Sequence, residues 1–150
     1  MRLVFYQPDI PQNFGAAMRV ASCFGAGLDV IEPCGFPLSA KGIRKAAMDY
    51  SASISPARHG SWELYKNSGE AQKGRLILFT TTGASDIWDF NFAPDDRLLF
   101  GRESAGVPED IHQSVPLRVR IPIRPDTRSL NVTVSAAIAL AEASRQLGQL

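Results

Sequence analysis

Two stretches, RLILFTT (75–81) and RLLFG (97–101), are apolar at nearly every position and stop at polar or glycine-rich residues. A strand with one wet face alternates apolar and polar side chains, whereas a strand covered on both faces does not. Runs this short therefore predict buried strands of a parallel sheet. Parallel neighbours need long crossover connections, usually helices. The rest of the chain supplies them. Further strands are predicted at LVFY (3–6), LDVIE (28–32) and RVRIPI (118–123). A helix is predicted within 9–27, with Asp9 or Asn13 as N-cap and Gly25 or Gly27 as its stop. Shorter helices are predicted at 39–49, capped by Ser39, at 61–69, capped by Ser61, and at 107–115, with Pro108 in the first turn. The last helix runs over 131–147 with Gly148 at C′. The pattern predicts an α/β fold, a mostly parallel sheet flanked by helices, in a single domain over 1–150.

In open α/β sheets ligands bind beyond the carboxyl ends of the strands. Three polar segments fall there: TTTG after 75–81, GRESAG after 97–101 and RPDTRSLN after 118–123. GRESAGVPED is no phosphate loop, because Val107 and Pro108 stand where Lys and Ser/Thr are required. No G-x-G-x-x-G follows any strand, which disfavours a nucleotide-dependent oxidoreductase. Gly101 and Gly106 leave two readings open, a tight turn or a loop whose backbone approaches a flat ligand. Glu103 reads as a helix-flanking acid. Ser129 and Asn131 can accept from amides at the start of the last helix. In that helix Val132, Ala136, Ala139, Ala143 and Leu147 share one face, small enough for close contact with the sheet or with a second copy. In the first helical segment Asn13 and Arg19 are six residues apart, so their directions differ by about 120° on a helix. Arg19, among small apolar residues, is either snorkelling to the surface or aimed at an anion.

The net charge of +1 argues against indiscriminate nucleic-acid coating but permits local patches. Lys41, Arg44 and Lys45 form one cluster; Arg118, Arg120, Arg124 and Arg128 form another. Cys23 and Cys34 have no zinc spacing and read as buried or half-buried free thiols. His59 and His112 read as surface or capping residues. The opening RLVFYQP is too short and polar for the apolar core of an export signal, and no apolar run approaches the roughly 20 residues that span a bilayer. A cytoplasmic location is expected.

Taken in order, PQNFGAAMR, LLFGRESAGVPED and RIPIRPDTRSLNVTVSAAIALAEA resemble the three motifs of the SPOUT methyltransferase superfamily. IEPCGF and the spacing between motifs resemble its small branch without an appended RNA-binding domain, which contains the tRNA wobble-nucleotide (cytidine/uridine) 2′-O-methyltransferases. The resemblance covers nearly the whole chain. It implies a C-terminal trefoil knot, which ordinary topology rules would not suggest. It also implies S-adenosylmethionine bound there, by Phe79, Thr80, Gly101, Glu103, Gly106, Ile121, Ser129, Leu130 and Ser135. No metal is expected. A homodimer is implied, with the alanine face of the last helix fitted to the two-fold. The tRNA would meet Arg44, Lys45, Arg118 and Arg128. The family assigns proton removal to the arginine of the first motif, here Arg19. A guanidinium with a pKa above about 12 is a poor base. Arg19 is expected instead to hold the adjacent phosphate and polarise the hydroxyl, with phosphate or water taking the proton. Asn13 would orient the ribose or Arg19. Val134 and Ala141 depart from the family pattern, where Asn and Tyr are common. The alternatives are ribosomal RNA as substrate, or a non-catalytic RNA-binding or cofactor-sensing module.

Overall fold

The computed structural model describes residues 1–39, 54–83 and 85–149. Its strands are β1 (Arg2–Tyr6), β2 (Gly27–Ile31), β3 (Ala57–His59), β4 (Leu76–Phe79), β5 (Ser85–Asp86), β6 (Arg97–Phe100) and β7 (Leu117–Arg120). They form one sheet in the order β3-β2-β1-β6-β4-β7-β5, and every described pairing is parallel. The helices are α1 (Pro11–Cys23), α2 (Trp62–Lys66), α3 (Glu109–Ser114) and α4 (Val132–Leu147), with a 3-10 turn at Ile87–Asp89.

Alternation along the strands splits the core in two. Leu3, Phe5, Leu28, Val30, Ile77, Phe79, Leu98 and Phe100 point to the side that carries α1 and α4. Val4, Tyr6, Ile31, Leu78 and Leu99 point to the other side, against Tyr65, Ile111 and Val115 of the α2 and α3 segments. Both faces of the central strands are thus covered, which is why their sequences do not alternate. The second face also buries charge. Asp29 is fully buried and accepts from Arg2 Nε at 2.5 Å, with His59 Nε2 at 2.8 Å from its other oxygen. His59 is therefore a half-buried partner of Asp29 and no simple surface residue. Cys23 is exposed, contrary to expectation, and Cys34 is half-buried.

Helix boundaries differ from the sequence expectations for local reasons. The N-cap of α1 is Ile10, followed by Pro11, and no side chain caps it; neither Asp9 nor Asn13 does so. Pro108 is the N-cap of α3 and lies outside its first turn. The final strand stops at Arg120, so Ile121 and Ile123 lie in the connection to α4. β3 and β5 were not anticipated; they are three and two residues long, with polar members, at the two sheet edges. Ser61 caps α2 by accepting from Leu64 N, and Gly148 closes α4 with φ of 62°, both as expected. The helix predicted at 39–49, with Lys41, Arg44 and Lys45, lies outside the described residues.

Ala136, Ala139 and Ala143 are fully buried within this chain, in the cluster that holds Phe14, Ala17, Met18 and Ala21 of α1. The alanine face therefore brings α4 close to α1 and the sheet, and it is unavailable to a second copy. The outer side of α4 carries Val134, 48% exposed, and the exposed Ala141. The order β6-β4-β7 sets the carboxyl ends of these three strands side by side. The turn after β4 crosses the end of β7 so tightly that a Cβ on Gly83 would lie 2.5 Å from the Val119 carbonyl carbon.

Candidate active site

A cavity of about 640 Å³ opens where the three strand ends meet. Its wall comprises Phe79 and Thr80 from the end of β4, and Gly101, Glu103 and Gly106 from the turn after β6. The connection after β7 adds Ile121, Ser129 and Leu130, and the first turn of α4 adds Ser135. Asn13 of α1 and the side chain of Ile10 close one side. The segments come from distant parts of the chain, and the strand order makes them neighbours.

The turn after β6 is a closed ring. Arg102 and Gly106 exchange both backbone hydrogen bonds, at 2.9 and 2.8 Å, and Gly106 has φ of 69°. Gly101 faces that ring at such close range that a Cβ there would lie 2.6 Å from Gly106 Cα and Val107 N. Of the two readings left open by the sequence, the tight turn is what these contacts describe.

The side chains of the ring reach across to the entry of α1. Glu103 accepts from Asp9 N at 2.7 Å and from Asn13 Nδ2 at 3.1 Å. Asp9 accepts from Arg102 Nη2 at 2.6 Å, Arg102 Nε at 3.1 Å, Ser104 Oγ at 2.6 Å and Ser104 N at 3.1 Å. These bonds, the Arg102 side chain foremost, hold the Asp9 carboxyl down to a pKa of about 2. Leaving a helix start without an oxygen cap forfeits about 1 kcal/mol. Asp9 serves the cross-link in place of that cap.

Asn13 is the junction of a one-way chain of hydrogen bonds. Glu103 can only accept, so Asn13 presents its Nδ2 there and turns Oδ1 to Asn131. Asn131 answers with Nδ2 at 3.0 Å, which leaves its own Oδ1 for the amides of Thr133 at 2.9 Å and Val134 at 3.2 Å. Thr133 Oγ1 donates to the Asn13 carbonyl at 2.8 Å. Asn131 is thus the cap of α4, and Ser129 lines the cavity instead.

Arg19 stands on the exposed side of α1, outside the cavity wall. Arg128 is exposed. Arg118 is half-buried, with Nη1 3.3 Å from His112 Nδ1. His112 is no simple surface residue either. It lines the cavity, and with Arg118 on Nδ1 its Nε2–H donates to Thr82 Oγ1 at 3.2 Å, next to Thr80 Oγ1. Nothing in a lone histidine's neighbours announced this; nor did Asp9, Arg102 and Ser104 announce their cross-link, since the partners lie more than ninety residues apart. Among the described residues no group of three or more His, Cys, Asp and Glu is placed to hold a metal, and no helix is long and apolar enough to cross a membrane.

Comparison with known proteins fits this geometry. A tRNA (cytidine(34)-2′-O)-methyltransferase of Beijerinckia indica is 49% identical over 148 residues, covering 99% of this chain and 92% of the relative. A solved chain from structural work on the 2-OH methylation of C/U34 on tRNA superposes with a TM-score of 0.92 at 35% identity, covering 99% of this chain and 97% of that one. The SpoU methyltransferase AviRb from Streptomyces viridochromogenes, in complex with AdoMet, superposes with a TM-score of 0.83 at 27% identity over 98% of this chain and 57% of its own. The model of the SpoU rRNA Methylase family matches residues 1–141, nearly the whole chain, and the chain belongs to that family.

Proposed function

We propose that this protein methylates the 2′-hydroxyl of a tRNA ribose, at the anticodon wobble nucleotide, with S-adenosylmethionine as donor. The reading is supported above all by the convergence of residues 79–81, 101–106 and parts of the connection from β7 into α4 (Ile121, Ile123, Ser129, Leu130, Ser135) on one cavity beside Asn13. The cavity fits the donor in kind. Its volume lies in the range of small-molecule sites. Phe79, Ile121 and Leu130 offer apolar surface, Thr80, Glu103, Ser129 and Ser135 offer polar groups, and Gly101 and Gly106 keep side chains out of the floor. The relatives named for C34 methylation favour tRNA over ribosomal RNA. The knot belongs to this reading: β7 lies between β4 and β5, and the β4–β5 turn packs at Gly83 on the end of β7, as a chain threaded through its own loop would require.

S-adenosylmethionine supplies an already activated methyl group, so the chain must position and deprotonate the acceptor. Asn13, locked between Glu103 and Asn131, fixes the entry of α1 against the cavity. Arg19, on that helix, binds the phosphate beside the target ribose and polarises its hydroxyl, and phosphate or water takes the proton. The outer faces of α1 and α4 form the two-fold of a homodimer, through Gln12, Ala16, Val134 and Ala141. Arg19 lies on the same exposed side and meets RNA there, with Arg128 as a further phosphate contact. The enzyme works where its tRNA is, in the cytoplasm.

The test is incubation with labelled S-adenosylmethionine and total tRNA from a strain lacking the protein, followed by mapping of the labelled nucleoside. A labelled 2′-O-methyl ribose at position 34 is expected; label only in ribosomal RNA, or in no RNA, overturns the proposal. Removing the Arg19 side chain should lower kcat far more than cofactor affinity, and equal loss of both counts against its role.

A further inference from the structure

We propose that Asp9 is a positioning residue for methyl transfer, one that sets the place of α1 relative to the cofactor turn. The inference rests on the functional reading above. Asp9 does not line the cavity. Its carboxylate nevertheless takes four hydrogen bonds from the turn after β6, two from Arg102 and two from Ser104. Its own amide donates back to Glu103 in the same turn. Two acidic residues thus clasp each other's segments, Glu103 reaching to the loop of Asp9 and Asp9 to the turn of Glu103.

The position of this clasp gives it leverage. Asp9 is two residues before Pro11, where α1 begins. Gly35 packs its Cα side against the Asp9 backbone, and Gly35 N donates to Pro8 O at 2.9 Å, so the loop is pressed from behind as well as pulled from the front. A helix is stiff, and each residue advances it about 1.5 Å. Arg19, eight residues past Pro11, therefore sits about 12 Å down a rigid rod whose origin is held at the cofactor turn. A small rotation at the clasp is carried along the helix to Arg19, which the functional reading sets at the target phosphate. A misplacement of about 1 Å can cost about 100-fold in rate.

The cofactor seat itself is less exposed to this loss. The ring from Arg102 to Gly106 is closed by its own two backbone bonds and keeps its shape without Asp9. Glu103 still holds the Asp9 amide and Asn13. The expected signature is therefore a split, with turnover falling and donor binding persisting. A purely structural role would lower stability, donor affinity and rate together.

The experiment compares the full-length protein with Asp9→Asn, Arg102→Met and the double variant. It measures S-adenosylmethionine affinity by calorimetry, single-turnover methylation of tRNA, and Tm. Asp9→Asn should lower the single-turnover rate about 10-fold or more. Its donor Kd should stay within about 3-fold, because the ring is self-closed. The double variant should be no slower than about 2-fold below Asp9→Asn, since both changes break one clasp. A rate for Asp9→Asn within about 2-fold of the parent overturns the proposal, as do rate losses that multiply in the double variant. A Kd that rises in step with the rate loss overturns it too. If the parent itself transfers no methyl group to tRNA, the functional reading fails and this inference with it; an active parent with an unaffected Asp9→Asn sinks this inference alone.

Discussion

Asn131 joins two jobs that can be separated by substitution. Its Oδ1 caps α4 through the amides of Thr133 and Val134, and its Nδ2 donates to Asn13. Asn131→Ala removes both. The cap is worth about 1 kcal/mol and the exposed hydrogen bond about 0.5–1.5 kcal/mol. The sum, about 2 kcal/mol, corresponds to a Tm lower by about 4–8 °C for a chain of this size. Asn131→Asp keeps an oxygen for the helix amides and adds a charge that the helix dipole favours by about 0.3–1 kcal/mol. It also sets a carboxylate oxygen against Asn13 Oδ1, at a contact that is now 3.0 Å. Asn13 cannot turn over to accommodate it, because its Nδ2 is committed to Glu103. The Asp variant should therefore melt within about 3 °C of the parent while losing the link to Asn13. Thermal and urea unfolding of the parent, Asn13→Ala, Asn131→Ala and the double variant, at one protein concentration, isolates that link. A coupling of about 0.5–1.5 kcal/mol is expected. Losses that simply add, to within about 0.3 kcal/mol, refute the one-way chain from Glu103 to α4. An Asn131→Asp protein that melts as low as Asn131→Ala refutes the division of roles.

Three further outcomes follow from other parts of the molecule. Gly101→Ala places a Cβ against the Gly106 and Val107 backbone, where nothing can rotate aside, and should weaken S-adenosylmethionine binding at least about 10-fold by calorimetry; unchanged affinity contradicts the close approach. Asp29→Ala takes the shared acceptor from Arg2 and His59 and should cost about 1–3 kcal/mol in urea unfolding, whereas a loss below about 0.5 kcal/mol means the cluster is solvated. Asp9 and Glu142 both titrate near 2 in the fold, Asp9 through Arg102 and Glu142 through Arg145, and ordinary carboxylates titrate near 4. Their folded pKa values are depressed, so their stabilisation is complete above about pH 4 and is lost as pH falls towards 2. Glu142→Gln should flatten the acid limb of a stability profile between those values, and an unaltered limb excludes its contribution.

The strands that carry the site were legible because burial on both faces erased their alternation, as in RLILF and RLLF. The turns after them were legible by their glycines. The nine residues that the family resemblance implied for the donor all line one cavity. The cross-links were not legible. Asp9 looks like a helix cap from its local sequence, and only the sheet order brings Arg102 and Ser104 to it. His112 was read as surface for the same reason: the groups that define it, Thr82 and Arg118, lie 30 and 6 residues away. The alanine face of α4 left two partners open, the sheet side and a second copy, because small residues permit close contact without saying with what; the family resemblance pointed to the second. Phe14, Ala17 and Met18 of α1 supplied the answer from inside the chain.

The cavity draws its walls from β4, β6, β7 and α4, and its near side from α1. No early fragment of the polypeptide contains the seat. A chain still being synthesised that stops short of residue 129 lacks Ser129, Leu130, Asn131 and Ser135, and with them one wall of the cavity. Capture of the donor therefore waits for α4, and once captured, the donor fastens α1 to a helix that the ribosome adds about a hundred residues later.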